Sequence, residues 1–311
     1  MIAANYRDSA FGTPAREPGN AFAFTYFAAR PIPRDLEPGA NVLASLARAD
    51  EALARLNSMV TGLADPFSVV EELLLLEALA STRTDGIWVS REEVLRGEAG
   101  PAATSEAQRE AVQQVIQHVE AAKHAFTLLG DLPIMQRIIL GTHAVLVRDL
   151  PDPPRWPGEY RTSPVWVGER DATPSNAEFV APLHDELPAL MNDWEHFVNE
   201  DGCHYPPLIQ AALALYQFET IHPFMVGNGR VGRILVNLLL AERGRLSHPV
   251  LTLSTAIEKD RSGYHARLQT VRERGEVEPW LTYFLDNVIR AAETATATAL
   301  SLGACVSGDL D

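Results

Sequence analysis

Apolar positions along the first half of the chain recur with helical spacing. Val42, Leu46, Ala49, Leu53, Leu56 and Val60 alternate at intervals of four and three, the period of a helix that buries one face. The stretch DPFSVVEELLLLEALASTRTDG, ending at Gly86, is apolar nearly all round in its middle and predicts a buried helix, with Leu73 to Leu76 as core. Asp65 is placed to cap that helix, Pro66 to open it and Gly86 to stop it. Further helices are predicted over Ser105 to Leu129 and, opened by Asp131 and Pro133, through Val147. One region reads as strand. In GEYRTSPVWVG, residues 158 to 168, the VWV triplet lies between Pro164 and Gly168, with Tyr160 beyond Thr162 and Ser163, which predicts a short hairpin. Helical patterns return over about 187–199, 207–220, 229–243, 254–273 and 279–300, and ETATATALSLGACVSGDLD then reads as a fraying tail. Residues 1–40, with Pro14, Pro18, Pro31, Pro33 and Pro38, predict an extended arm. The fold class is therefore all-α, a helical bundle with one short hairpin. The expected regions are an arm (1–40), an N-terminal helical region (41–125), a core (126–290) and a tail (291–311).

Composition narrows the partners. The chain has 311 residues, 46% of them hydrophobic, and a net charge of −15 from 41 acidic and 26 basic side chains. Such a field repels nucleic acid and anionic membrane. With neither a leader-like N-terminus nor a long apolar span, the expected location is cytoplasmic. Cys203 and Cys305 are the two cysteines; their separation indicates neither a disulfide framework nor a zinc site.

The segment HPFMVGNGRVGR, residues 222 to 233, concentrates the candidate chemistry. Gly227 and Gly229 bracket Asn228 just before the apolar pattern Val231, Ile234, Leu235, Leu238 begins a helix. Glycines there let an anion approach main-chain N–H groups at a helix start. Arg230, Arg233 and Asn237 fall at i, i+3 and i+7, one polar stripe. Two cations at the positive end of a helix dipole invite an anion between them, and a phosphate chain would satisfy both. His222, on the other lip of the loop, has the pKa range of a base near neutrality. The plainer alternative is a helix–turn–helix link with surface arginines. His143, on the apolar run LGTHAVLV, reads as a packed histidine.

Residues 222 to 233 resemble the Fic family signature HPFx(D/E)GNGRxGR. Upstream YQFETIHPF, the hairpin with Arg161 and Val165-Trp166-Val167-Gly168, downstream EKDRSGYHARL (residues 258 to 268) and the early YFAARPIP extend the resemblance over roughly residues 25–290. It implies an all-α Fic fold and transfer of AMP from ATP, the expected co-substrate, to a protein Tyr, Ser or Thr hydroxyl. It implies His222 as general base, and Asn228 with the Gly227 and Gly229 amides on the α- and β-phosphates. Arg230 and Arg233 would hold the outer phosphates. Gly232, Asn237 and Tyr264 complete the implied nucleotide set, Tyr264 bordering the base. The hairpin, with Val165, Trp166 and Val167, would clamp an extended target segment. The implied partner is a protein with an accessible hydroxyl; self-modification and homo-oligomer formation stay open.

Two positions depart from the pattern. The family carries Asp or Glu at position 226 to bind Mg²⁺, and Val226 has no side-chain oxygen, so no metal ligand is assigned and Mg²⁺ is expected to be weakly held. Three readings follow: slow AMP transfer, a different substrate or chemistry on the same fold, and a silent nucleotide or partner binder. In ASTRTDGI, residues 80 to 87, Ser81 and Gly86 match the family's inhibitory motif (S/T)xxxE(G/N), but its acid is Asp85. The resemblance makes Arg233 the partner of Asp85; the alternative is an acidic turn residue before a helix stop.

Overall fold

The computed structural model of the chain describes residues 1–17, 23–98, 105–130, 133–150, 156–168, 171–199 and 204–308. Cys203 and Asp131 lie outside them. The amphipathic pattern that opens at Val42 forms α1 (Ala40–Thr61), and the apolar stretch after Pro66 forms α2 (Phe67–Thr84). The Asp65 carboxylate accepts from Phe67 N at 2.9 Å, so it does serve the start of α2. Then follow α3 (Arg91–Glu98), α4 (Glu106–Leu129), capped by Ser105 Oγ on Gln108 N, and α5 (Gln136–Val147). The remaining helices are α6 (Leu187–Asn199), α7 (Pro207–Ile221), α8 (Asn228–Glu242), α9 (Leu253–Lys259), α10 (Arg261–Arg274) and α11 (Glu278–Gly308). The expected division at residue 125 falls within α4.

Helix α7 explains its own sequence. Every residue from Leu208 to Ile221 is buried, so no face needs to be polar. It packs on α8, and Gly232 makes that approach close: a Cβ there would stand 3.0 Å from Leu215 Cδ1 and 3.3 Å from Phe218 Cδ1. One hydrophobic cluster runs from Phe11 to Ala299, with α11 lying along α1 and α5 against α4. No helix among the described residues is long and apolar enough to cross a membrane.

Several expectations are corrected. The proline-rich arm folds into an antiparallel hairpin of β1 (Gly12–Arg16) and β2 (Thr25–Ala29), with Pro14 opposite Phe27. A two-stranded sheet has only edge strands, where a missing N–H is tolerated. The second hairpin does not lie within 158–168. Its strands are β3 (Trp166–Val167) and β4 (Phe179–Val180), and Tyr160 takes no part. The pattern over 254–273 is two helices, because Asp260 ends α9 and then caps α10 by accepting from Gly263 N at 3.0 Å. The expected tail is helical through Gly308. A second apolar cluster joins the arm to the later hairpin through Met1, Tyr6, Phe27, Val165, Phe179 and Val180, with Met225 packed against it.

Candidate active site

His222 ends α7 in the left-handed region, with φ 51° and ψ 60°, a conformation that costs a non-glycine residue about 1–3 kcal/mol. Arg161 holds it there. Its Nε donates to His222 O at 2.8 Å and its Nη2 to Pro182 O and Ile221 O, while its main-chain N donates to Pro223 O. Burial brings the Arg161 guanidinium down to about 10, which leaves it charged at neutral pH. His222 Nδ1 faces the carbonyl oxygen of Glu219 at 3.3 Å. A carbonyl can only accept, so this contact assigns the proton to Nδ1 and leaves Nε2 basic. Burial pushes the ring's pKa down to about 4, aided by Arg161 and Arg272 and opposed by Glu219, so the imidazole is neutral at pH 7.

The loop after His222 is closed by its own side chains. Asn228 Oδ1 accepts from Phe224 N and its Nδ2 donates to Phe224 O, both at 2.8 Å. The side chain expected on a phosphate is thus a staple. Gly227, at φ 80°, supplies the left-handed turn into α8. No side chain caps that helix, which leaves its first-turn amides as donors. His143 secures the loop from behind. It stacks on Phe224 at 3.7 Å, accepts from Gly158 N at Nδ1, and therefore donates from Nε2 to Val226 O at 3.2 Å. It is the packed histidine that the sequence suggests.

Asp85 pairs with both signature arginines. Its Oδ1 lies 2.9 Å from Arg233 Nη2 and its Oδ2 lies 3.1 Å from Arg230 Nε. Ser81 holds Arg233 too, accepting from Nε through Oγ at 2.8 Å and from Nη2 through its carbonyl at 2.9 Å. Burial alone would raise the Asp85 pKa; Arg233 and Arg230 overcome it and hold the carboxyl below its ordinary value. The arginines differ in turn. Burial tends to lower both, but for Arg233 the nearby carboxylates of Asp85 and Glu219 and the Tyr264 hydroxyl outweigh it, whereas Arg230 is lowered and its Nη1 is buried without an acceptor. Gly86, at φ 87°, ends the turn beyond the clamp.

These groups line one cleft of about 250 Å³ that holds His222, Gly227, Asn228, Gly229, Arg233, Asp85 and Tyr264. Val167 forms part of its wall; Trp166 is 42% exposed, and Val165 packs inward, so the triplet does not act as one surface. Three of the expected nucleotide residues lie outside that lining, Arg230 among them, its Nε held on Asp85 Oδ2 at 3.1 Å. Gly232 serves the α7–α8 contact, and Asn237 exchanges hydrogen bonds with the main chain of Leu251 at 3.0 and 3.2 Å. Sequence reading passed over Glu219, whose Oε1 accepts from Tyr264 OH at 2.8 Å, and Arg272. Their signal was the spacing: Tyr264, Leu268 and Arg272 recur every fourth residue, and Glu219 lies three before His222. The residues present do not fit a divalent cation. Val226, 36% exposed, brings only carbon to the rim, its carbonyl is taken by His143, and both cleft carboxylates are engaged.

Comparison with known proteins gives this geometry a family. Residues 133–240 match the Fic/DOC family and residues 43–127 the Fic/DOC family N-terminal region. The protein adenylyltransferase Fic of Drosophila virilis is 34% identical over 130 residues, 42% of this chain and 24% of the relative; that of Aedes aegypti is 31% identical over 165 residues, 53% and 28%. The chain thus spans about a quarter of the length of these curated relatives. In fold it is similar to a Fic family protein from Desulfovibrio desulfuricans, with TM-score 0.68 and 22% identity over 86% of this chain and 77% of that one. It is also similar to Fic-1 from C. elegans, with TM-score 0.63 and 20% identity over 86% and 75%. With matches on both sides of the clamp and a fold shared along most of its length, the chain belongs to the Fic/DOC family.

Proposed function

We propose that this chain transfers AMP from ATP to the hydroxyl of a Tyr, Ser or Thr side chain on a protein. One observation carries the reading: the basic Nε2 of a neutral His222 and the uncapped N-terminus of α8 belong to a single cleft. The hydroxyl oxygen attacks the α-phosphorus as its proton passes to Nε2, and the bond to pyrophosphate breaks. The N–H groups of Asn228 and Gly229 donate to the phosphate oxygens, and Arg233 takes the outer charge once Asp85 withdraws. The relatives named protein adenylyltransferase support the reaction class. Incubation with α-³²P-ATP should label the chain or an added target, and His222→Ala should abolish the label. Labelling that survives in His222→Ala removes His222 as the base.

Val226 favours a second reading, a nucleotide binder or an enzyme of different chemistry, because the loop presents no carboxylate at that rim. Val226→Asp separates the two. Under the first reading it raises divalent-dependent AMP transfer about tenfold, or 1.4 kcal/mol of barrier. Under the second it creates no AMP transfer although ATP still binds.

A further inference from the structure

The carbonyl oxygen of Glu219 receives two donors. One is His222 Nδ1 at 3.3 Å, the other Arg272 Nη2 at 3.0 Å. Arg272 Nε donates to Thr220 Oγ1 at 3.1 Å, and its guanidinium carbon lies 3.8 Å from the centre of the Phe179 ring. An arginine of α10 therefore grips the last turn of α7 with one edge and supports strand β4 with its face. Its hydrogen bonds go only to neutral oxygens among the described residues. Keeping a buried cation without a hydrogen-bonded carboxylate is costly, and an apolar side chain would fill the same space more cheaply. Its placement has a consequence for the neighbouring ring. A carbonyl fixed by a rigid planar donor stays where the Nδ1 proton must point, much as partners of a metal-bound histidine fix its tautomer.

We propose that Arg272 is a positioning residue for His222: through the Glu219 carbonyl it keeps the proton on Nδ1 and Nε2 turned into the cleft. The role that this gives Nε2 rests on His222 being the base, but the tautomer does not. Three charged groups bear on the ring, with Glu219 favouring its protonation and Arg161 and Arg272 opposing it. Grip and charge thus act with opposite signs. Losing Arg272 should let the His222 titration move upward in pH, which alone would strengthen the base, while the loosened ring loses its preferred tautomer and transfer falls.

The test uses the full chain labelled with ¹⁵N-histidine, His222→Gln identifying the resonance among the nine histidines. In the unaltered protein above pH 7 the ring should be almost wholly the Nδ1–H tautomer. Arg272→Gln should bring in the Nε2–H form as a major species and raise the titration midpoint. Arg272→Lys, which keeps the charge without the fork, should change the tautomer and leave the midpoint nearly in place. Thr220→Val removes one acceptor of Arg272 at unchanged charge and should change the tautomer in the same direction but less, which keeps the test open if Arg272→Gln does not fold. Self-labelling with ATP should fall about tenfold or more in Arg272→Gln despite the raised midpoint. If the substitutions lower only the melting temperature and the tautomer stays wholly Nδ1–H, the proposal is overturned. If the unaltered chain transfers nothing, the proposed reaction fails, and the tautomer still decides the role of Arg272.

Discussion

Short as its side chain is, Asp85 contacts both arginines, because it sits on the turn that closes α2, beside the start of α8. A Cβ added at Gly229 would lie 3.2 Å from Asp85 Oδ1, which shows how near the clamp stands to the loop amides. Asp85→Ala should raise ATP affinity at least about tenfold, or 1.4 kcal/mol. The same change should cost the fold about 3 kcal/mol, since two buried guanidinium groups lose their counter-charge. Isothermal titration and chemical denaturation read the two effects, and an unchanged affinity would return Asp85 to a structural role. The pair is not a switch near neutrality. Because the folded pKa of Asp85 is depressed, its stabilisation is complete above the ordinary carboxyl range and is lost only as acid carries the pH through the folded value. At this scale the sequence was legible for the pairing of Asp85 with Arg233, which the resemblance implied and the coordinates contain. It was not legible for the amides of Asn228 and Asn237, which can staple a loop or bind a ligand with equal chemistry, and only coordinates tell which.

Helix α2 carries a second acid two turns before the clamp. Glu77 is buried and accepts from Ser254 N at 2.8 Å and from Ser254 Oγ, tying α2 to the first turn of α9. Burial lifts its pKa from 4.5 to about 7, against the pull of those bonds and of Arg233. The folded state therefore binds a proton that the unfolded state releases between those values, and stability falls as pH rises from 4.5 towards 7. The loss amounts to about 3 kcal/mol. Glu77→Gln should flatten that decline, leaving the variant more stable than the parent at pH 8, as denaturant midpoints at pH 5 and 8 will read. A parallel decline in both proteins would place the titration elsewhere. Helices with a strong apolar period, such as α1, were legible end to end. Helix α3 was not, because REEVLRGE offers one deeply buried apolar residue, Val94. The α9–α10 break was hidden because Asp260 interrupts the pattern without altering its phase, and the pairing of β1 with β2 because Pro14 lies within one strand and Pro18 with Gly19 follows it, which reads as a break rather than a ladder.

Among the described residues, two of three apolar clusters bear on the surroundings of the cleft. The larger unites the helices, and the smaller fastens the arm to the hairpin beside the cleft. Phe27, fully buried in the smaller one, packs on Phe179 at 6.1 Å between ring centres. Phe27→Ala should cost about 3–5 kcal/mol and speed hydrogen exchange at Val167, Phe179 and Ala181 while α7 and α8 keep their protection. Equal acceleration everywhere would make the two clusters one cooperative unit. The clamp also belongs to this scale, joining residues 145 and 148 positions apart. Viewed as competition, Asp85 is an anion on a tether, present at the arginines at an effective concentration on the order of millimolar or above. A free anion at lower concentration has to prevail by carrying more charge, so a triphosphate should displace Asp85 where a single phosphate at equal concentration does not. The tether would then grade ligands by the length of their phosphate chains before any chemistry begins.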